Sequence, residues 1–257
     1  MKSIKIIKNK KNKSKIISLT AYSKNIAEII DKHVDIILVG DSVASVLYNY
    51  KTTRSITLDT MIEHAKSVRM GVSKSLMVFD MPFNTYRNKK EALVNARKVI
   101  KETGSDAIKL EGGFKIKEIV NHLIKNKIGV LGHLGIMPQS VRGKFKSKGK
   151  TENERKKLLN EAKLLEGLGV FAIVLECVEK SLAKKITNEI KIPTIGIGSS
   201  SHCDGQVLVT DDLIGLTDSK IKFVKKYVDL KKTIDKATRQ FKSEVIKRKY
   251  PSSRYSY

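Results

Sequence analysis

Six ionisable residues stand out because each closes or follows an apolar run: Asp41 after "DIILVG", Asp80 in "LMVFD", Lys109 and Glu111 in "AIKLE", His133 in "GVLGH" and Glu176 in "AIVLE". A charge at the edge of a hydrophobic core is costly unless something offsets it. Taken singly, each has a plain structural explanation. Asp41 before Ser42 reads as a turn former or helix cap, Glu111 before Gly112 and Gly113 as a solvated turn residue, Lys109 as a carboxylate's partner, and His133 in "GHLG" as a core histidine. Taken together they point elsewhere. Asp41, Asp80 and Glu111 gathered at one place repel one another unless a cation or a proton intervenes. A hard cation such as Mg2+ suits carboxylate oxygens and keeps positions open for water and substrate. The expectation is that Asp41 faces a metal. Glu176 then stands as a base opposite it, and a metal-bound carbonyl compound beside a carboxylate base is an arrangement for forming an enolate. The residues alone lead to metal-assisted carbon–acid chemistry with the substrate undetermined.

Such convergence needs a scaffold that joins residues far apart in sequence. Strand-like runs fall at 15–21, 35–41, 75–82, 107–113, 128–135, 171–178, 192–198 and 205–212. They are mostly continuous rather than alternating, as in a parallel sheet buried on both faces. Helical spacing fills 23–33, 57–71, 88–104, 115–126, 151–169 and 179–190, with Thr57 as a cap, Thr151-x-x-Glu154 as a capping-box pattern, and Gly71 and Gly104 as stops. Eight strands alternating with helices predict a closed (β/α)8 TIM barrel, whose active site lies at the C-terminal strand ends. No GxGxxG follows the first strand, so a dinucleotide-binding open sheet is not supported. The run 223–249 reads as one or two helices closing the barrel, and "RGKFKSKGK" at 142–150 as a loop long enough to act as a lid. No interdomain linker interrupts residues 1–257, so a single catalytic domain is expected.

The bulk composition narrows the classes further. The 257 residues are 40% hydrophobic, enough for one sizeable core. No apolar run reaches the roughly 18–20 residues of a membrane span. The basic start "MKSIKIIKNKKNKSK" leads into no long apolar stretch, so it does not read as a secretory signal. Cys177 and Cys203 belong to no CxxC pair and read as free thiols. The net charge of +25 raises nucleic-acid binding as a rival. Against it, the basic residues are scattered and mostly Lys, only 6% of residues are aromatic, and Trp is absent. Dedicated nucleic-acid binding is therefore not expected.

The same segments carry a resemblance. "LVGDS", "TLDTMIEH", "DMPF", "KLEGG", "GHLGIMPQSV", "VLECV", "IPTIGIG" and "CDGQVLV" resemble the signature segments of the ketopantoate hydroxymethyltransferase family, in that family's order and at about its spacing, over nearly the whole chain. The resemblance implies a (β/α)8 barrel that binds Mg2+, works in the cytoplasm and assembles as a homo-oligomer, typically a decamer. It implies transfer of a one-carbon unit from 5,10-methylenetetrahydrofolate to 3-methyl-2-oxobutanoate, giving 2-dehydropantoate on the route to pantothenate. By position, Asp41 and Asp80 match the metal-binding aspartates and Glu111 the third acid near the metal. Asp41, Ser42, Asp80 and Lys109 match positions that hold the keto acid, and Glu176 matches the proton acceptor. His133 falls on a family motif with no role assigned.

The chain departs from the family pattern in loops. "GSSSHCDG" replaces a smaller stretch before the CDG, with the change at 199–203, "SVRGKFKSKGK" is about two residues short, and "VASVLYNY" differs after GDS. These touch the expected folate side of the mouth, not the metal or base positions. Two rivals stay open. One is another metal-dependent barrel that forms keto-acid enolates, of the phosphoenolpyruvate mutase and isocitrate lyase kind, although the lyase motif KKCGH is absent. The other is a non-catalytic basic protein that kept the barrel.

Overall fold

The computed structural model describes residues 4–139 and 147–257. Two compact units divide the chain, Met1–Val209 and Thr210–Tyr257. The first is a closed barrel of eight parallel strands in sequence order: β1 (Ile16–Thr20), β2 (Ile36–Val39), β3 (Leu76–Asp80), β4 (Ala107–Glu111), β5 (Val130–Gly135), β6 (Ala172–Glu176), β7 (Thr194–Ile197) and β8 (Gly205–Leu208). Its helices are α1 (Ile4–Asn9), α2 (Lys24–Ile30), α3 (Val43–Val46), α4 (Leu58–Arg69), α5 (Lys89–Thr103), α6 (Lys117–Lys125), α7 (Glu152–Leu168) and α8 (Lys180–Glu189). The (β/α)8 expectation holds, with one irregularity. The β7–β8 connection, 198–204, contains no helix.

Local chemistry sets the helix ends. Thr57 accepts a hydrogen bond from the Thr60 amide, Asn88 from Glu91 and Thr151 from Glu154, so each caps an N-terminus. Glu154 does not complete a reciprocal capping box; it reaches back to the amides of Gly149 and Lys150. Gly104 and Gly169 end α5 and α7 in the left-handed conformation.

Strand alternation divides the core in two. One parity, including Ile37, Val39, Met77, Phe79, Ile108 and Leu110, packs with the helices. The other, including Ile36, Leu38, Leu76, Val78, Leu131 and Val174, forms a second apolar cluster within the barrel. Ile7 of α1 belongs to that inner cluster and is 1% exposed. The basic N-terminal segment thus supplies a plug, which its lysine-rich sequence did not announce. Truncating a fully buried Ile costs about 2–5 kcal/mol.

The second unit holds α9 (Thr210–Leu213) and α10 (Leu230–Ile246). The eighth strand run was read as reaching residue 212; it ends at Leu208, and Thr210, Asp211 and Asp212 instead open α9. Of the C-terminal run 223–249, Leu230–Ile246 forms one helix, α10, and residues 223–229 are not helical.

Candidate active site

The inner parity of the strands turns from apolar to charged toward their C-terminal ends. Asp80 follows Leu76 and Val78, Lys109 and Glu111 follow Ala107, His133 follows Leu131, and Glu176 follows Ala172 and Val174. The barrel register then sets them side by side: Asp80 pairs with Lys109, Glu111 with His133, and Glu176 with Gly135. Asp41, two residues beyond β2, joins them through its amide, which donates to Asp80 Oδ2 at 3.2 Å.

Lys109 Nζ lies 2.6 Å from Asp80 Oδ1, and both side chains are buried. Burial opposes the Lys109 charge, but Asp80, Asp41 and Glu111 outweigh it and raise its pKa above the ordinary lysine value. Burial, with Asp80 and Glu111 as like-charged neighbours, pushes the Asp41 carboxyl up to about 7 against the pull of Lys109. Burial also raises Asp80, despite Lys109. His133 Nε2 stands 3.2 Å from Glu176 Oε2, and its Nδ1 3.4 Å from Glu111 Oε1. The same Nδ1 is 3.4 Å from Lys109 Nζ. Burial and Lys109 disfavour the imidazolium, but Glu111 and Glu176 prevail and lift His133 to about 9. Glu176 differs from the others in access: its side chain is 19% exposed, at the opening.

Two backbone features hold Glu176 in place. Gly135 adopts φ +103°, and a Cβ there would sit 2.2 Å from the Glu176 carbonyl oxygen. Cys177 follows Glu176 at φ +50°, with its amide bonded to Ile197 O at 2.8 Å and its carbonyl to the Lys148 amide at 3.0 Å. Lys148 pairs in parallel with Val178. The end of the expected lid therefore lines the edge beyond β6, while its residues 142–146 lie outside the described ones. The altered 199–203 stretch is fixed by Ser199, which donates to Val178 O, and by Gln206, which donates to Ser200 O.

Each residue picked from the sequence is at or beside this mouth. Ser42 opens α3 and its hydroxyl bonds Tyr22 Oη at 2.8 Å. The sequence reading passed over Tyr22, Tyr86 and Gln139. Gln139 is buried and contacts both Asp41 and Glu111. It lies in the quoted segment "GHLGIMPQSV", yet an uncharged amide gives a reading based on charge nothing to follow.

The donor set suits a hard cation. Asp41 and Asp80 offer carboxylate oxygens in a site where their negative charge exceeds what Lys109 neutralises, and Glu111 Oε1 is buried without a hydrogen-bond partner. Among the described residues, no group of three or more His, Cys, Asp and Glu side chains is placed to hold one ion. Glu111 instead accepts from the Gln139 amide through Oε2 and faces His133 through Oε1. Two carboxylates with water and substrate suffice for Mg2+.

A family model described as ketopantoate hydroxymethyltransferase matches residues 1–253. A protein of Pelagibacter ubique named 3-methyl-2-oxobutanoate hydroxymethyltransferase is 64% identical over 248 residues, covering 96% of each chain. One of the same name from Rhizobium etli is 45% identical, over 94% of this chain and 90% of its own. Among solved structures, a phosphonopyruvate hydrolase in complex with oxalate and Mg++ aligns with a TM-score of 0.62 at 11% identity, over 99% of this chain and 93% of its own. A 2,3-dimethylmalate lyase of the PEP mutase/isocitrate lyase superfamily aligns with a TM-score of 0.60 at 11% identity, over 80% and 78%. These two likenesses are of fold.

Proposed function

The chain belongs to the ketopantoate hydroxymethyltransferase family and is a hydroxymethyltransferase, and from that premise we propose that it transfers the one-carbon unit of 5,10-methylenetetrahydrofolate to 3-methyl-2-oxobutanoate with Mg2+ bound at Asp41 and Asp80. The supporting observation is the convergence of Asp41, Asp80, Lys109 and Glu176 on one barrel mouth, with Glu176 alone of the four partly open to solvent. When bound, Mg2+ supplies positive charge that acidifies the proton beside the ketone. Glu176 accepts that C3 proton. Lys109, held by Asp80, adds positive charge where the enolate oxygen develops, and such placed charge is worth most in a dry site. Ser42, braced by Tyr22, holds the keto acid from the β2 side. His133, with Nε2 3.2 Å from the Glu176 carboxylate, keeps a positive charge beside it. The new carbon–carbon bond forms between C3 and the folate's methylene carbon, and both bonds from that carbon to the folate nitrogens break. Water supplies the hydroxyl of the product, and the C3 proton and the remaining water proton leave on the nitrogens of tetrahydrofolate.

The keto acid and the folate are the small-molecule partners in this reading. We also propose that the chain self-associates. Helix α10 supports this with Ile234, Phe241 and Val245, exposed at the helical spacing of one face. Light scattering on the purified protein checks it, and a monodisperse monomer contradicts it. Cys177 and Cys203 stand as free thiols, which fits a reducing compartment such as the cytoplasm. Among the described residues no helix is long and apolar enough to cross a membrane.

The direct test is product formation from both substrates with and without Mg2+, beside Asp41→Ala. The expected result is Mg2+-dependent 2-dehydropantoate, lost in the variant. Equal activity after exhaustive chelation contradicts the metal assignment.

A further inference from the structure

Gln139 is a buried amide that ties three strand ends together. Its Nε2 donates to Asp41 Oδ2 at 2.9 Å and to Met81 O at 3.0 Å. Its Oε1 accepts from Tyr86 Oη at 2.7 Å. Its backbone amide donates to Glu111 Oε2 at 3.1 Å. The amide orientation is set by this chemistry. A carboxylate and a carbonyl are acceptors only, so the NH2 must face them, and the Tyr86 hydroxyl is left to donate to the oxygen. At 2% exposure, no bulk water competes for these bonds.

A carboxylate next to a like-charged neighbour has no fixed orientation of its own. Asp41 follows Gly40 beyond the end of β2, and Asp80 is close enough to accept its amide. The Gln139 carboxamide engages Asp41 through Oδ2, which leaves cation ligation to Oδ1. Its main chain holds Glu111 through Oε2, while Glu111 Oε1 faces His133. From this geometry we infer that Gln139 is a positioning residue: it orients the Asp41 carboxylate for a divalent cation and anchors the segment after β5 to the same carboxylate. Tyr86 is its brace. The inference rests on the Mg2+ reading above and concerns a residue that touches neither reacting atom. Partners that orient a metal ligand in this way contribute about 10- to 100-fold in metal affinity.

The test uses Mn2+ as a spectroscopic substitute, titrated into the full-length protein and followed by electron paramagnetic resonance, without folate. Gln139→Leu keeps the bulk and removes the donors; Tyr86→Phe removes only the bracing hydroxyl. Metal-free melting of each variant is measured in parallel. The expected result is Mn2+ affinity reduced about 10- to 100-fold in Gln139→Leu and several-fold in Tyr86→Phe. The bound-ion spectrum of Gln139→Leu is expected to be broadened by a less ordered ligand. Wild-type affinity and spectrum in a folded Gln139→Leu overturn the proposal and leave the cation reading intact. If Gln139→Leu does not fold, Tyr86→Phe decides, and unchanged Mn2+ affinity there overturns the proposal. No binding by the wild-type protein overturns the cation reading and this inference together.

Discussion

The two ends of the barrel use acidic residues in opposite ways. At the N-terminal end, aspartates sit just before strands and, Asp106 Oδ1 apart, are held by donors. Asp204 accepts from Lys11, the Thr194 amide and the Thr194 hydroxyl. Asp35 accepts from Lys10 and the Ile17 amide. Asp31, in the turn after α2, accepts from Ser73, Lys74 and Ser75. Asp106 accepts from the Met77 amide, though its Oδ1 lacks a partner. At the C-terminal end, Asp41, Asp80 and Glu111 share one lysine, and Glu111 Oε1 and His133 Nε2 are buried without hydrogen bonds. One set of carboxylates holds the fold together. The other, on the function proposed above, is kept at a cost in stability for the chemistry.

The largest effect that would sharpen this contrast is at Glu176. Glu176→Gln is expected to lower kcat about 100- to 10,000-fold, the usual worth of a positioned base. Keto-acid binding, measured calorimetrically, and the melting temperature should stay near wild type. A loss that appears only as weaker binding breaks the assignment.

At the other end, Asp204→Ala leaves the Thr194 amide without its acceptor and the Lys11 charge with only the Thr187 carbonyl. Breaking such a buried pair costs about 3 kcal/mol, which lowers the melting temperature by about 6–12 °C in a chain of this size. Turnover per folded molecule, measured well below the melting temperature, should not change. A catalytic defect there would mean that the two ends are not separable.

How much of this contrast was readable beforehand depends on the kind of signal. The strands were legible because a buried parallel strand is an unbroken apolar run, and the charges that end those runs marked the mouth. Helix α1 was not legible. "KIIK" among lysines has no periodicity to speak of, and only the packing of Ile7 into the barrel gives it a role. The eighth run was read too far because "VLVT" stays apolar past Leu208, where Thr210 turns the chain into α9. Gln139 and Tyr86 escaped because their importance lies in what they bond across the barrel, not in charge or spacing. The aspartates of the lower end draw no reading from the sequence, since nothing in it distinguishes a hydrogen-bonded carboxylate from a solvated one.

A smaller effect tests the lower end through pH. Burial raises the Asp31 carboxyl, but the amides of Ser75, Ser73 and Lys74 prevail and hold it at about 2, below its ordinary 3.8. Its contribution is therefore complete above about pH 4 and is lost as pH falls toward 2, with a full value of about 2 kcal/mol. Asp31→Asn should lose that stability at neutral pH and show a flatter acid limb in denaturant titrations between pH 4 and 2. An unchanged acid limb would remove Asp31 from the stabilising set. The smallest effect is at the mouth. Asp41→Asn relieves like-charge repulsion, so the metal-free variant should be more stable than wild type by about 1 kcal/mol while losing activity. Destabilisation there would place Asp41 with the structural aspartates.

The central claim, that the mouth removes a proton from the keto acid through Glu176, is tested most directly by hydrogen exchange at C3 of 3-methyl-2-oxobutanoate in deuterated water, with Mg2+ and without folate. The account predicts enzyme-catalysed exchange by the wild-type protein and its loss in Glu176→Gln. Unimpaired exchange in that variant would contradict it.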